Sequence, residues 1–79
     1  MAEGILKFNL DDSDDTRAHL RAIKALDMAL ALWDMDGYLR SKIKYGELDD
    51  KTYNALQEAR DELRGIMQKH SVDLDELIN

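Results

Sequence analysis

The sequence contains no cysteine and no proline, and only four glycines, in 79 residues. Without cysteine there is neither a disulfide framework nor a thiolate-ligated zinc site to reinforce a small core. Without proline there is no polyproline linker, and without an apolar run near 18 residues there is no segment suited to span a bilayer. Aromatics make up only 6%. The first residues, Met1-Ala2-Glu3-Gly4, have neither a basic start nor a long apolar stretch, so a secretory signal is not expected and an intracellular protein is. What remains is a hydrophobic fraction of 44% with 35% charged residues, too apolar for a disordered chain. One small domain is expected, with little surplus stability of its own.

The net charge of −6 is unevenly spread. Residues 1–16 hold one base against five acids, 17–45 six bases against three acids, and 46–79 four bases against nine acids. A basic centre between acidic ends either ties segments together or presents a positive patch to an anion, unless it is simply a solvated helix face with mixed charges.

Hydrophobic periodicity predicts an all-α chain. Residues 1–10, with Ile5, Leu6, Phe8 and Leu10, read as an extended arm or short strand too apolar to remain free. Asp11-Asp12-Ser13-Asp14-Asp15-Thr16 supplies capping groups for a first helix from about 12 to 44. Within that helix, Gly37 costs roughly 1 kcal/mol relative to alanine. Gly46 is expected to end it in a left-handed conformation. A second helix over about 50–69 carries one amphipathic stripe, and residues 73–78 read as a short C-terminal helical turn.

The two long helices are mismatched. The first would span roughly 50 Å and the second roughly 30 Å, so an antiparallel hairpin leaves about 20 Å uncovered. The longer helix carries two apolar seams, Ile23, Leu26, Leu30 and Trp33 on one line and Met28, Leu32, Met35 and Leu39 on another. One short helix buries one seam. The expected solution is a homodimer completed as a four-helix bundle, or a higher oligomer. The arm and C-terminal turn covering the second seam within one chain is the alternative.

Motifs with catalytic overtones fail on context. Asp34-Met35-Asp36-Gly37 has the form of a phosphatase D-x-D-G start, but that chemistry needs a preceding strand and a surrounding sheet. On a helix the two carboxylates sit roughly 200° apart. Glu58-x-x-Asp61 resembles half of a magnesium-binding pair in all-α pyrophosphohydrolases, yet no E-E-x-x-E partner exists. A solvated face paired with Arg60 and Arg64 is the simpler reading. His19 and His70 lack ligand spacing, and no nucleophilic cysteine or phosphate-cradling glycine loop is present. Neither enzymatic activity nor a metal or cofactor is expected.

Trp33, Asp36, Arg40, Lys44 and Tyr45 share one helix face at spacings of three and four, with Tyr45 beside Lys44. Two rings, an acid and two bases suit a planar anion, by stacking and phosphate contact. A salt-bridge ladder at the helix end beside a core tryptophan is the alternative. Arg17, Arg21 and Lys24 form a second basic stripe. The acidic balance argues against double-stranded nucleic acid as partner.

Lys7-Phe8-Asn9-Leu10, Leu32-Trp33-Asp34-x-Asp36, Leu39-Arg40-Ser41-Lys42-Ile43-Lys44-Tyr45 and the closing Val72-x-Leu74-Asp75 resemble a group of small tailed-bacteriophage proteins, most of them uncharacterised. Those proteins tend to have proline after F-N-L, glutamine before the bulky-Leu-Arg and glycine before the final V-x-L-D, where this chain has Asp11, Gly37 and Ser71. The resemblance implies a phage accessory protein in the host bacterial cytoplasm. The expected function is non-enzymatic binding, most simply sequestration of a nucleotide immune signal in an oligomeric pocket. An acidic nucleic-acid mimic that blocks a host defence or metabolic protein, and a structural assembly protein, are the alternatives.

Overall fold

The computed structural model describes residues 1–79 as three helices, α1 (Ser13–Tyr45), α2 (Asp50–Lys69) and α3 (Leu74–Ile78), with no strand. Each begins at an aspartate. Asp12 accepts from the Asp14 amide, Asp49 from the Thr52 amide, and Asp73 from the amides of Asp75 and Glu76. Each cap satisfies N–H groups that a helix start leaves without partners. The capping aspartate therefore precedes α1, and the acidic cluster divides its labour: Asp15 accepts from the Asn9 amide at 2.9 Å, while the Thr16 hydroxyl donates to the Leu10 carbonyl at 3.0 Å.

Residues 1–9 form no strand. Nor does the arm dock as its composition suggests, for Ile5, Leu6 and Leu10 stay exposed. Phe8 alone is half-buried, edge-on to His19 with ring centroids 5.4 Å apart.

The helix ends overturn one expectation. Gly46 is extended (φ −77, ψ 144), not left-handed. Its glycine is needed for close approach, because a Cβ there would lie 2.5 Å from the Lys42 carbonyl oxygen. The left-handed residue is Ser71, with φ 59. Past the end of α2, the Ser71 amide donates to the Gln68 carbonyl and the Val72 amide to the Met67 carbonyl. This pair of bonds is the Schellman arrangement, usually built on glycine. Gly37 leaves α1 unbroken.

α2 packs against α1, and an ion pair between Asp36 and Arg60 fixes the register. With α2 antiparallel, Leu39 stands level with Leu56, Leu32 with Leu63 and Ala29 with Met67. Ala29, Leu32, Asp36, Leu39 and Ile43 are the less exposed positions of α1 from residue 20 onward, and Leu56, Arg60, Leu63 and Met67 are among those along α2. Both sets repeat at alternating spacings of three and four, the seam of coiled-coil packing. Neither apolar seam inferred from sequence is the one used. Leu32 and Leu39 turn inward, but Met28 and Met35 remain exposed, as do Ile23, Leu26, Leu30 and Trp33.

Only Ala29 is fully buried, at 2% exposure. The radius of gyration is 17.5 Å, against about 12 Å for a compact domain of this length. α2 ends level with about residue 27 of α1, so α2 leaves the half of α1 before it uncovered. No helix is long and apolar enough to cross a membrane.

Candidate ligand-binding cleft

The cleft lies where α1, the end of α2 and α3 meet. Its floor is set by Asp36, whose carboxylate accepts from Arg60 Nε at 3.1 Å and Nη2 at 3.3 Å. Arg64 Nε lies 3.6 Å from the same carboxylate. The Arg60 guanidinium hydrogen-bonded to Asp36 holds this carboxyl below its usual pKa, against a smaller opposing effect of burial, with Arg60, Arg64 and Arg40 adding attraction. The same bond raises Arg60. An acid and a base thus occupy the central layer of the seam, each side chain about four-fifths shielded (17% and 20% exposed). Such a polar layer favours one register over its slipped neighbours, because slippage would strand both charges.

Above this floor the Schellman turn redirects the chain, and Asp73 starts α3 so that it returns along α1. Trp33 and Asp36 of α1, Arg64 and Met67 of α2, and Val72, Leu74 and Asp75 of the C-terminal segment line an open cleft of about 480 Å³. A smaller hollow of about 340 Å³ continues from Trp33 and Asp36 past Gly37 to Arg40 and Arg60. The larger volume falls in the range of small-molecule sites.

The cleft's chemistry is a ring, two guanidiniums and an acid. Trp33 is 44% exposed. Arg60 is committed to Asp36. Arg40 makes no ion pair, and Arg64 remains 61% exposed, so both have N–H groups to offer. Asp75 supplies a carboxylate on the rim. Guanidiniums take phosphate or carboxylate bidentately, an indole stacks on a planar base, and a carboxylate accepts from hydroxyl or amino groups.

Of the residues singled out from sequence, Trp33, Asp36 and Arg40 share this region. Lys44 and Tyr45 do not: Lys44 Nζ lies 5.3 Å over the Tyr45 ring, and neither residue lines the cleft. Arg17, Arg21 and Lys24 are exposed on the bare half of α1, where Lys24 pairs with Asp27 at 3.6 Å. On α2, Asp61 accepts from Gln57 Nε2 at 3.1 Å, and Arg60 reaches α1 instead of the local acids. Sequence reasoning missed Arg64 and Asp75. Arg64 follows Arg60 by one helical turn and so carries a readable signal, whereas Asp75 reaches the site only through the fold-back at Ser71.

Compared with protein-family models, with curated proteins and with solved structures, the chain has no significant match.

Proposed function

We propose that this chain is a non-enzymatic binding protein that works as a homo-oligomeric helical bundle and takes a nucleotide in the Trp33–Arg40–Arg64–Asp75 cleft. The observation that carries the reading is the cleft's composition: an exposed indole with Arg40, which makes no ion pair, and Arg64, which pairs with Asp36 at 3.6 Å but stays 61% exposed. Its base-stacking ring, phosphate-binding forks and rim acceptor match the three parts of a nucleotide: base, phosphate and sugar. The wall left open by this chain supports a pocket completed by assembly. The resemblance to small tailed-phage proteins supports a setting in the cytoplasm of an infected bacterium, where holding a nucleotide immune signal without turning it over would silence a defence.

The alternative of an acidic surface mimicking nucleic acid has less support. Asp12 and Asp15 are spent on local hydrogen bonds at the start of α1, which reduces the charge free to face a basic cleft.

A thermal-shift series with linear mononucleotides, cyclic mononucleotides and cyclic dinucleotides tests the proposal, with inorganic phosphate as a control. A ligand at 100 times its Kd stabilises by about 2.7 kcal/mol, worth roughly 10 °C or more in a domain of this size. Arg64→Ala should abolish that shift. No shift with any nucleotide removes the reading, and salt-sensitive capture of a host protein by the acidic surface would replace it.

A further inference from the structure

The exposed positions Ile23, Leu26, Leu30 and Trp33 of α1 are 60%, 53%, 40% and 44% accessible. Their spacings of three, four and three repeat the pattern of the buried seam, turned about a third of the way round the helix. The stripe extends to His19 on one side and Gly37 on the other, and it reads nearly the same in both directions about Met28. We infer that this stripe is the dimer interface, and that its occupant is the α1 of a second copy running antiparallel about a two-fold axis level with Met28.

In this pairing Leu26 faces the partner subunit's Leu30, and Trp33 faces the partner subunit's Ile23. Gly37 faces the partner subunit's His19. That last match is of small against large. A Cβ at Gly37 would meet nothing within 4 Å, so the glycine leaves room for the imidazole that Phe8 already props edge-on. Asp27 lies beside the axis near its own symmetry mate, each held by Lys24 at 3.6 Å, which moderates the repulsion. A parallel pairing would set the two indoles in one layer and match neither glycine with an imidazole.

The exposed area agrees. One chain exposes 6962 Å², whereas a compact monomer of this mass exposes about 4,900 Å². The surplus, roughly 2,000 Å² per chain, exceeds the about 800 Å² per partner of a standard interface. An extended shape whose surplus is rich in leucine, isoleucine and tryptophan is the shape of half an assembly. Because Trp33 belongs to both stripe and cleft, the partner subunit's Ile23 would also wall the proposed nucleotide site. The inference deepens the assembly half of the function proposed above and does not depend on the ligand.

Spin labels on Arg17→Cys, in a chain otherwise free of cysteine, test the pairing without touching the stripe. Antiparallel helices place the two labels about 35–40 Å apart, whereas a parallel, in-register pair places them about 15–25 Å apart. Sedimentation of the same sample gives the mass. A dimer with the long distance is expected. A monomer at 100-fold dilution of an NMR-grade sample, or a dimer with the short distance, overturns the pairing. Leu26→Lys, exposed in the single chain, should raise the dimer dissociation constant by at least about thirtyfold while helicity at high concentration persists; an unchanged constant also overturns it. A short distance with nucleotide shifts intact would discard the antiparallel pairing alone, and lost shifts with the long distance would discard the ligand alone.

Discussion

Replacing Asp36 by Asn should cost more stability than replacing Arg60 by Met, although the two residues form one ion pair. Arg60→Met keeps most of the aliphatic stem in the seam and leaves the Asp36 carboxylate with Arg64, already 3.6 Å away. Asp36→Asn removes the anion that Arg60 and Arg64 both reach and that Arg40 also attracts, and leaves three guanidiniums around a neutral amide. Exposed pairs contribute about 0.2–1 kcal/mol, and breaking a fully buried one costs about 3–5 kcal/mol. With side chains 17% and 20% exposed and a bidentate geometry, Asp36→Asn falls between those limits, near 2 kcal/mol, and Arg60→Met near 1 kcal/mol. Urea unfolding followed by circular dichroism, at one fixed protein concentration because the proposed assembly would add to stability, measures both. The double variant completes a thermodynamic cycle with a coupling of about 1 kcal/mol. A coupling below about 0.3 kcal/mol, or Arg60→Met costing more than Asp36→Asn, would refute the account of a register-fixing layer. Asp36→Leu with Arg60→Leu should restore or exceed the original stability while broadening amide resonances along α2, because an all-apolar seam tolerates slippage.

The same carboxylate sets a pH dependence. Its folded pKa lies below the ordinary value, so the unfolded chain binds the proton more readily. The stabilisation is fully present above the unfolded pKa, about 3.9, and is lost as pH falls through the lower folded value. Melting temperature should decline below about pH 5, and Asp36→Asn should flatten that decline; an unaltered acid limb would discount the pair. Ser71→Gly should stabilise by about 0.5–1 kcal/mol, since a left-handed serine with φ 59 closes the Schellman turn; a destabilised variant in chemical denaturation would contradict this conformation. Ala29→Leu should destabilise by about 1–3 kcal/mol, because the site is 2% exposed and level with Met67; thermal melts that rise instead would place a cavity there.

The helix boundaries were legible because each rests on local chemistry. An aspartate at 12, 49 and 73 precedes every helix and accepts from its first amides, and such signals need no tertiary information. Gly46 marks the end of α1 in the sequence but not the mechanism that ends it. Close approach and left-handed geometry both select glycine, and sequence alone does not separate them. Phe8 shows the converse limit: hydropathy marks it as a docking residue, but the docking partner, His19, is set by the turn through Asn9 and Asp12.

The seam is hard to read from the sequence for a physical reason. Counting only apolar residues along α1 favours Met28, Leu32, Met35 and Leu39, whereas the chain packs through Ala29, Leu32, Asp36, Leu39 and Ile43. The true repeat is hidden because its smallest and its charged members do not register as hydrophobic. Yet α2 carried the correcting signal. Leu56, Arg60, Leu63 and Met67 form an unbroken repeat of four, three and four with a base in the middle, and a base in a seam requires an acid across from it. With a connection of four residues between α1 and α2, the position level with Arg60 falls at about 36, and Asp36 is the acid there. Matching charges across the hairpin therefore turns Met28 and Met35 outward from the sequence alone. The line of Ile23, Leu26, Leu30 and Trp33 then stands alone as the repeat without a partner in its own chain.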